Sequence, residues 1–279
     1  MTPFDAIAHA FSTVSTGGNS THDASLGYFD STTIELIAIL FMFLSAVNFG
    51  LHFAALNQRR FSAYLRDAEF RTFFSVMIGV SMIIGGYLYA TDTFHTLRQG
   101  FVEGLFHVVS IGTSTGFTTQ AFYSWPSFVP VLLIYVSFMG GCSGSTGGGM
   151  KVIRVLLLFK QGSRELKRLV HPSGQFLVKV GRKPVSDKII EAVWGFFAAY
   201  FGLTILMVLM LMASGLDQDT AFSAVAATLN NMGPGLGQVA LNYAGISDFA
   251  KWVLVMAMLL GRLEIFTLLV LFTPGFWRK

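Results

Sequence analysis

The chain has 279 residues, of which 53% are hydrophobic and only 12% are charged, with a formal net charge of +4. Soluble domains carry about 25% charged residues. This composition, with a mean hydropathy of +0.61, excludes an ordinary soluble enzyme and indicates a membrane protein. The small positive charge reflects where basic residues lie along the chain and does not indicate a nucleic-acid partner.

Five hydrophobic segments are long enough to cross the hydrocarbon core of a bilayer, which is about 30 Å thick. In chain order they are 32–56, 71–91, 127–160, 188–213 and 250–272. The third is interrupted at 140–149 by "GGCSGSTGGG", which cannot hold a regular helix because each glycine costs about 1 kcal/mol relative to alanine. The sequence therefore predicts an all-α membrane protein with an irregular break inside one span.

The connections between successive spans lie on opposite sides of the membrane in turn, and the basic residues are concentrated in the connections of one side. Segment 57–71 holds four arginines, and 160–188 holds eight lysines or arginines. The connections 91–126 and 213–250 hold only Arg98. The positive-inside rule therefore predicts that 57–71, 160–188 and the basic C-terminus lie in the cytoplasm.

Three apolar stretches between the spans are too short to cross a bilayer: 4–21, 101–120 and 220–239. Each reads as a short helix followed by a polar segment, and Gly17, Gly116 and Gly233 bring the three into register at spacings of 99 and 117 residues. Non-helical backbone inside a membrane must be buried in protein or line a wet cavity. A ring of main-chain carbonyls can replace the hydration shell of an alkali cation, so the repeat predicts re-entrant half-helices that lead into an ion filter.

These motifs resemble the Trk/Ktr/HKT superfamily of potassium transporters, and most closely its bacterial TrkH group. The resemblance rests on "STVSTGGNSTHDASLGYFDS", "GTSTGFTTQ", "GGCSGSTGGGMKVIRVLLL", "TLNNMGPGLG" and "LGRLEIFTLLVLFTP". The family fold resembles a potassium channel built from one chain, with four units of outer helix, pore helix, filter and inner helix around one pore. The resemblance implies that this chain lacks the first unit and the outer helix of the second, so we expect an N-terminally truncated fragment with about two and a half of four units.

The same resemblance implies a division of the chain. Residues 1–57 are expected to hold the second half of the second unit, with pore helix, filter and inner helix. Residues 58–160 are expected to form the third unit, whose inner helix is broken by a gating loop at 140–149. Residues 161–187 are then a cytoplasmic basic loop, and 188–279 form the fourth unit with a cytoplasmic C-terminus.

The resemblance further implies that main-chain carbonyls in three filter segments bind potassium. The segments comprise Val14, Ser15, Thr16 and Gly17; Thr113, Ser114, Thr115 and Gly116; and Asn230, Asn231, Met232 and Gly233. The glycine of each segment is expected to favour potassium over sodium. Because the last segment departs from the Ser-Thr-Gly pattern, Asn230 and Asn231 either coordinate the ion in the same way or brace the filter through their side chains.

The same resemblance implies that the glycine-rich loop is an intramembrane gate. The expected gate residues are Gly140, Gly141, Ser143, Gly144, Ser145, Thr146, Gly147, Gly148 and Gly149, with Lys151 and Arg262. The loop hydroxyls are expected to face water or the ion. A rigid hinge that only shapes the inner helix is the alternative.

Three basic residues lie inside apolar segments, where a central charge costs about 2.5–3.5 kcal/mol and usually faces a pore or a partner. For Arg262 the resemblance implies that it reaches the conduction path, and the alternatives are a local pair with Glu264 or snorkelling to the interface. Lys151 either pairs with a carboxylate or shapes the loop. Arg154 is assigned no role.

The predicted function is potassium uptake across the bacterial inner membrane, without enzymatic activity. Potassium is the substrate at the filter residues, and no cofactor and no other metal site are expected. The expected partners are membrane lipid, a second copy in a homodimer, and a cytoplasmic nucleotide-binding regulatory subunit of the TrkA type. Two alternatives stay open: sodium-coupled symport of the Ktr type, and a non-conducting fragment. A nucleotide-binding enzyme is disfavoured, since Gly144 and Gly149 are not followed by the Lys-Ser/Thr pair of a phosphate loop.

Overall fold

The computed structural model describes residues 1–181 and 183–277, and this part of the chain is predominantly helical, as predicted. Arg182 of the basic loop and Arg278 and Lys279 of the basic tail lie outside the described residues. The described strands form one antiparallel pair, β1 (Lys179–Val180) and β2 (Lys183–Pro184).

The described residues form thirteen α-helices joined by short connections. In chain order they are α1 (Pro3–Val14), α2 (Thr32–Ser45), α3 (Phe49–Asn57), α4 (Ser62–Arg66), α5 (Ala68–Ala90), α6 (Leu97–Gly112), α7 (Phe128–Met139), α8 (Val152–Val170), α9 (Asp187–Ala213), α10 (Gln218–Leu229), α11 (Asp248–Arg262), α12 (Ile265–Leu271) and α13 (Pro274–Trp277). Short 3-10 helices lie at Ser25–Phe29, Phe122–Ser124 and Gly237–Val239.

Two helices, α5 and α9, are long and apolar enough to cross a membrane unaided, and this corrects the expectation of continuous spans. Two further candidates are bent pairs: α2 and α3 meet at 94°, and α11 and α12 meet at 111°. The third predicted segment is divided by the glycine-rich loop into α7 and α8. The described residues therefore supply up to four spans by length and composition, if each bent pair counts as one.

Local backbone chemistry explains both bends. Asn48 begins α3 as a new helix, because its side-chain oxygen accepts the N–H groups of Gly50 at 2.7 Å and Leu51 at 3.3 Å, as a helix N-cap does. Glu264 has a left-handed φ of 54°, which a right-handed helix cannot contain, so α11 ends just before it. Hydropathy shows that these segments are apolar but does not show that the helix axis bends within them.

The three short helices α1, α6 and α10 begin with side-chain caps. Thr2 forms a capping box with Asp5 at the start of α1, and Thr96 and Asp217 cap α6 and α10. These helices have 12, 16 and 12 residues, fewer than the roughly 20 that cross a bilayer. They fit the half-helices predicted from the sequence.

The buried core surrounds two of these half-helices. One cluster packs α5 and α7 against α6, around residues such as Phe73, Ile111 and Leu133. Another packs α9 and α11 against α10, around Leu211 and Val225. Protein on several sides can satisfy and shield the backbone where α6 and α10 end, which is the condition for irregular backbone at membrane depth.

Candidate functional site

The residues that follow α1, α6 and α10 share one backbone conformation. These segments, 15–18, 113–116 and 230–233, each contain two left-handed residues, at the second and the fourth position. The second-position residues are Thr16 (φ 50°), Ser114 (φ 60°) and Asn231 (φ 54°), and the fourth-position residues are Gly18 (φ 66°), Gly116 (φ 86°) and Gly233 (φ 93°). We call these stretches filter segments one, two and three.

The hydrogen bonds that join each filter segment to its helix repeat in the same way. In each segment the third residue donates its N–H to the carbonyl oxygen five residues before it. The donor and acceptor pairs are Gly17 and Ser12, Thr115 and Ser110, and Met232 and Ala227, each at 2.8 Å. The three segments are therefore equivalent residue by residue.

This equivalence corrects the predicted register of filter segment one. Gly18, and not Gly17, occupies the position of Gly116 and Gly233, and Val14 is the last residue of α1. The error arose because "STGG" offers two adjacent glycines and the first one matches "STG" of segment two by its letters. The backbone requires glycine at the fourth position, where φ is positive, since side chains with a Cβ avoid that region.

The filter segments lie side by side in chain order. A Cβ added at Gly18 would overlap the Thr115 carbonyl oxygen, and one added at Gly116 would overlap the Met232 carbonyl oxygen. At Gly233 an added Cβ would meet no atom within 4 Å in the part of the chain that the structure describes. The described segments thus form an open arc with one side uncovered.

Most carbonyl oxygens of the arc accept no hydrogen bond; those of Ser15, Thr113 and Gly233 accept a side-chain hydroxyl. Among residues 1–181 and 183–277, no hydrogen bond ends on the carbonyl oxygens of Thr16, Gly17, Gly18, Ser114, Thr115, Gly116, Asn231 or Met232. Several of these residues are buried; Ser114 and Thr115 are each 1% exposed. Buried carbonyls are nearly always paired in proteins, so an array of free ones is chemically suited to a dehydrated cation.

The amides of filter segment three make bracing contacts. Asn230 donates from Nδ2 to Ser137 Oγ at 2.8 Å and accepts the Tyr200 hydroxyl at Oδ1. Asn231 donates to the Met258 carbonyl oxygen at 3.3 Å. These contacts favour the alternative in which both side chains hold the segment in place.

Carboxylates behind segments one and two are functional candidates that the sequence analysis missed. Asp5 accepts the Thr21 hydroxyl at 2.7 Å, and Glu103 accepts the Thr119 hydroxyl at 2.6 Å. Each bond ties the first half of a half-helix to the chain that leaves the filter segment. We call these two pairs the filter braces.

The spacing of the braces was visible in the sequence. Asp5 and Glu103, His9 and His107, Thr21 and Thr119, and Gly18 and Gly116 are all separated by 98 residues. Alignment on Gly17 gave a spacing of 99 and so concealed the other pairs. A repeat search over the whole stretch would have found them.

The glycine-rich loop between α7 and α8 lies against all three filter segments. Gly148 donates its N–H to Ser114 Oγ, and a Cβ added at Gly148 would overlap the Asn230 carbonyl oxygen. The Thr16 hydroxyl donates to the Thr146 carbonyl oxygen at 2.9 Å. The loop therefore abuts the end of the arc nearest the half-helices.

Two basic side chains hold the tip of this loop. Arg262 donates from Nη1 to the Thr146 carbonyl oxygen at 3.1 Å, and Lys151 donates to the Gly147 carbonyl oxygen. Glu264 pairs at 2.6 Å with Arg154, so the local Arg262–Glu264 pair is not the arrangement in the structure. Arg154, which was assigned no role, therefore links α8 to the bend between α11 and α12.

The hydroxyls of Ser145 and Thr146 bond within the protein, contrary to the expectation that they face water or the ion, whereas exposed Ser143 makes no side-chain hydrogen bond among the described residues. Ser145 donates to the Cys142 carbonyl oxygen at 2.6 Å. Thr146 Oγ1 lies 3.2 Å from the Val14 carbonyl oxygen and 3.1 Å from that of Ser45. These bonds help to fix the position of the loop.

The ends of the loop meet a single carboxylate. Glu69 Oε1 accepts the N–H groups of Ser143 at 2.7 Å and Ile153 at 3.1 Å. Sequence reasoning missed this residue because its partners lie 74 and 84 residues away. Among the described residues, no group of three or more His, Cys, Asp or Glu side chains is arranged to hold a metal ion.

Comparison with known proteins places these features in a family. The family described as "Cation transport protein", TrkH, matches residues 1–279. The Trk system potassium uptake protein TrkH of Vibrio parahaemolyticus is 54% identical over 281 residues, covering 100% of this chain and 58% of that protein. TrkG of Escherichia coli strain K12 is 41% identical, covering 100% of this chain and 57% of that protein.

The crystal structure of the potassium transporter TrkH from Vibrio parahaemolyticus has a TM-score of 0.95 to this chain at 54% identity. That match covers 100% of this chain and 60% of the solved one. The chain thus spans somewhat more than half the length of these relatives, which are transporters by name. It belongs to the TrkH family of cation transport proteins.

Proposed function

We propose that this chain supplies three of the four filter segments of a pathway for potassium uptake across the bacterial inner membrane. The observation that carries the proposal is the arc of carbonyl oxygens without hydrogen bonds in filter segments one to three. In the four-unit transporter, meaning this chain completed by the first unit and the outer helix of the second, a fourth segment closes the arc into a ring. Carbonyls of such a ring replace the water around a potassium ion.

The direction of the half-helices supports this reading. Helices α1, α6 and α10 all end at their filter segments. The C-terminal end of a helix carries a partial negative charge, so three such ends favour a cation over an anion. Relatives named as potassium uptake proteins support potassium as the cation.

The proposed gate is the loop at 140–149, with Lys151 and Arg262 as the side chains that hold its tip. Its support is the contact that Thr146 and Gly148 make with filter segments one and two. With the loop in this position the pathway is closed. Opening requires the bonds from Arg262 and Lys151 to break and the tip to move aside.

The basic segments 57–71 and 161–187 lie on the cytoplasmic side in this proposal, as does the C-terminus. The cytoplasmic part of α8 presents the exposed residues Lys167 and Arg168, which suit a contact with a TrkA-type nucleotide-binding subunit. That subunit opens the gate, and the transporter functions as a homodimer. Both partners are inferred from the family.

The second candidate, a non-conducting piece, has one observation in its favour, the uncovered side of the arc at Gly233. Uptake of radioactive rubidium by proteoliposomes separates the two. The four-unit transporter is expected to take up rubidium in competition with potassium and not with sodium. Equal competition by sodium would exclude the proposed filter, and dependence on a sodium gradient would favour Ktr-type symport.

The variant Gly116→Ser tests the filter assignment directly. Its side chain would overlap the Met232 carbonyl oxygen, so we expect the preference for potassium over sodium to fall. Gly86→Ser is the control, because a Cβ there meets no atom within 4 Å among the described residues. Unchanged selectivity in Gly116→Ser would refute the assignment.

A further inference from the structure

Glu69 contacts both ends of the gate loop with one oxygen atom. Its Oε1 accepts the N–H of Ser143, at the start of the loop, and the N–H of Ile153, in the first turn of α8. Both are main-chain groups, and Glu69 is itself only 8% exposed. Hydrogen bonds to a carboxylate are shorter and stronger than those between neutral groups, so the two flanks of the loop are held at a fixed separation.

The tip of the loop is held by a different kind of contact. Thr146 and Gly147 are bound through their carbonyl oxygens to the side chains of Thr16, Lys151 and Arg262. Side chains of this kind can release a carbonyl oxygen by changing rotamer, without displacement of their own backbone. Two main-chain bonds also hold this region: Gly144 accepts the Phe49 N–H at 3.1 Å, and Thr146 donates its N–H to the Ser45 carbonyl oxygen at 3.3 Å. Once these bonds break as well, the tip can detach while the flanks stay in place.

Glu69, which anchors the two flanks of the loop, belongs to a rigid helix. Glu69 lies in the first turn of α5, and Asp67 caps that turn by accepting the Phe70 N–H at 2.7 Å. Helix α5 then continues to Ala90 and packs on α6, the half-helix of filter segment two. A carboxylate on such a helix holds its partners more accurately than one on a loop.

We propose that Glu69 is the positioning residue of the gate: it fixes Ser143 and Ile153 so that residues 144–149 open and reclose between immobile ends. The proposal rests on the proposed function of the loop at 140–149. It assigns Glu69 no contact with the ion. Loss of its acceptor oxygen removes one hydrogen bond from each flank at once and leaves two part-buried N–H groups without this acceptor, which costs stability locally. The main-chain bonds from Cys142 to Ala46 at 2.8 Å and from Val152 to Gly141 at 3.1 Å remain.

Cys142 is a built-in reporter of this anchor. It is the chain's one cysteine, it is 1% exposed, and it directly precedes Ser143. We expect Glu69→Ala to raise the rate at which a small maleimide labels Cys142 in membranes containing this chain, by on the order of tenfold. Glu69→Gln keeps an acceptor oxygen and is expected to label at close to the parent rate.

Glu35→Ala is the matched control, since Glu35 is another buried glutamate, 8% exposed, and makes no hydrogen bond to the loop among the described residues. Its labelling rate should equal that of the parent. Equal rates for Glu69→Ala and the parent would overturn the proposal, and so would an equal increase in Glu35→Ala. Glu69→Asp, which is one methylene shorter, serves the same test if the alanine variant does not fold, and an unchanged rate there overturns it too.

Rubidium flux through the four-unit transporter separates this proposal from the gate assignment. Deletion of 144–149 is expected to raise flux, and Glu69→Ala is expected to raise it in the parent but not further in the deletion. If the deletion raises flux and Glu69→Ala leaves the parent unchanged, the gate stands and the role of Glu69 is wrong. If the deletion does not raise flux, the gate assignment fails and this proposal fails with it.

Discussion

Arg262 and Thr146, 116 residues apart in the chain, are joined by a hydrogen bond of 3.1 Å from the guanidinium to the main-chain carbonyl oxygen. The same oxygen accepts the hydroxyl of Thr16 in filter segment one. Arg262 is the last residue of α11, at the bend to α12. The bend therefore brings a positive charge to the tip of the loop at 140–149, and if this loop is the gate, as proposed, the bond stabilises the closed position.

Arg262→Ala should raise rubidium flux through the four-unit transporter by about fivefold, because one hydrogen bond to an exposed charged group is worth roughly 1 kcal/mol. Arg66→Ala, which removes an exposed charge at the end of α4 with no hydrogen bond to the loop among the described residues, is the control and should leave flux unchanged. If Arg262→Ala conducts no faster than the parent, this bond does not limit opening.

Adjacent glycines offer a test of the filter register. Gly18→Ala should lower the selectivity for potassium, since its φ is 66° and an added Cβ would overlap the Thr115 carbonyl oxygen. Gly17→Ala should be tolerated, because the nearest atom to its Cβ is the movable Ser15 hydroxyl at 3.1 Å. Reversal potentials in mixed potassium and sodium solutions distinguish the two variants. A larger loss in Gly17→Ala would restore the register predicted from the sequence.

The contrast between those glycines shows what sequence patterns specify here. The half-helices, the polar segments after them and the break at 140–149 all follow from hydropathy and glycine content, which depend on composition within a short window. The position of Gly18 depends instead on which peptide adopts a left-handed φ. The hydrogen bond from the Gly17 N–H to the Ser12 carbonyl oxygen determines this, whereas the letters "STGG" are compatible with either glycine at the left-handed position.

Contacts between distant residues were beyond the reach of sequence patterns for a different reason. The pairing of Glu264 with Arg154 and not with Arg262 depends on a bend of 111° between α11 and α12. Glu69 has no local motif that relates it to Ser143. Such contacts depend on how the helices pack, and one sequence read without an alignment does not show which helices pack against each other.

The filter brace of segment two is expected to preserve selectivity. Thr119→Val keeps the shape of the side chain but removes the hydroxyl that Glu103 accepts at 2.6 Å. Glu103 is then left without this donor, and such a loss costs about 1–3 kcal/mol when the group is buried. We expect a lower potassium-to-sodium permeability ratio in the four-unit transporter.

A double-mutant cycle isolates this brace from general damage. Glu103→Ala with Thr119→Val should lose no more selectivity than the more impaired single variant, because both changes break the same bond. Thr118→Val, at the adjacent position, is the control for a threonine lost from the same stretch. Strictly additive losses would mean that Glu103 and Thr119 do not act as a pair.

Residues 1–279 by themselves should not support selective potassium uptake. Gly18 and Gly116 each lie against a carbonyl of the next filter segment, whereas an added Cβ at Gly233 meets no atom within 4 Å among the described residues. An ion in this arc keeps water on its open side, so carbonyls replace only part of its hydration and cannot distinguish potassium from sodium by a complete shell.

Proteoliposomes containing this chain should therefore show rubidium uptake no higher than empty vesicles, with the four-unit transporter as the positive control. Potassium-selective uptake by the chain alone would mean that the open side is covered by another surface, and a second copy would then be the first candidate, detectable by cross-linking through cysteines introduced beside Gly233.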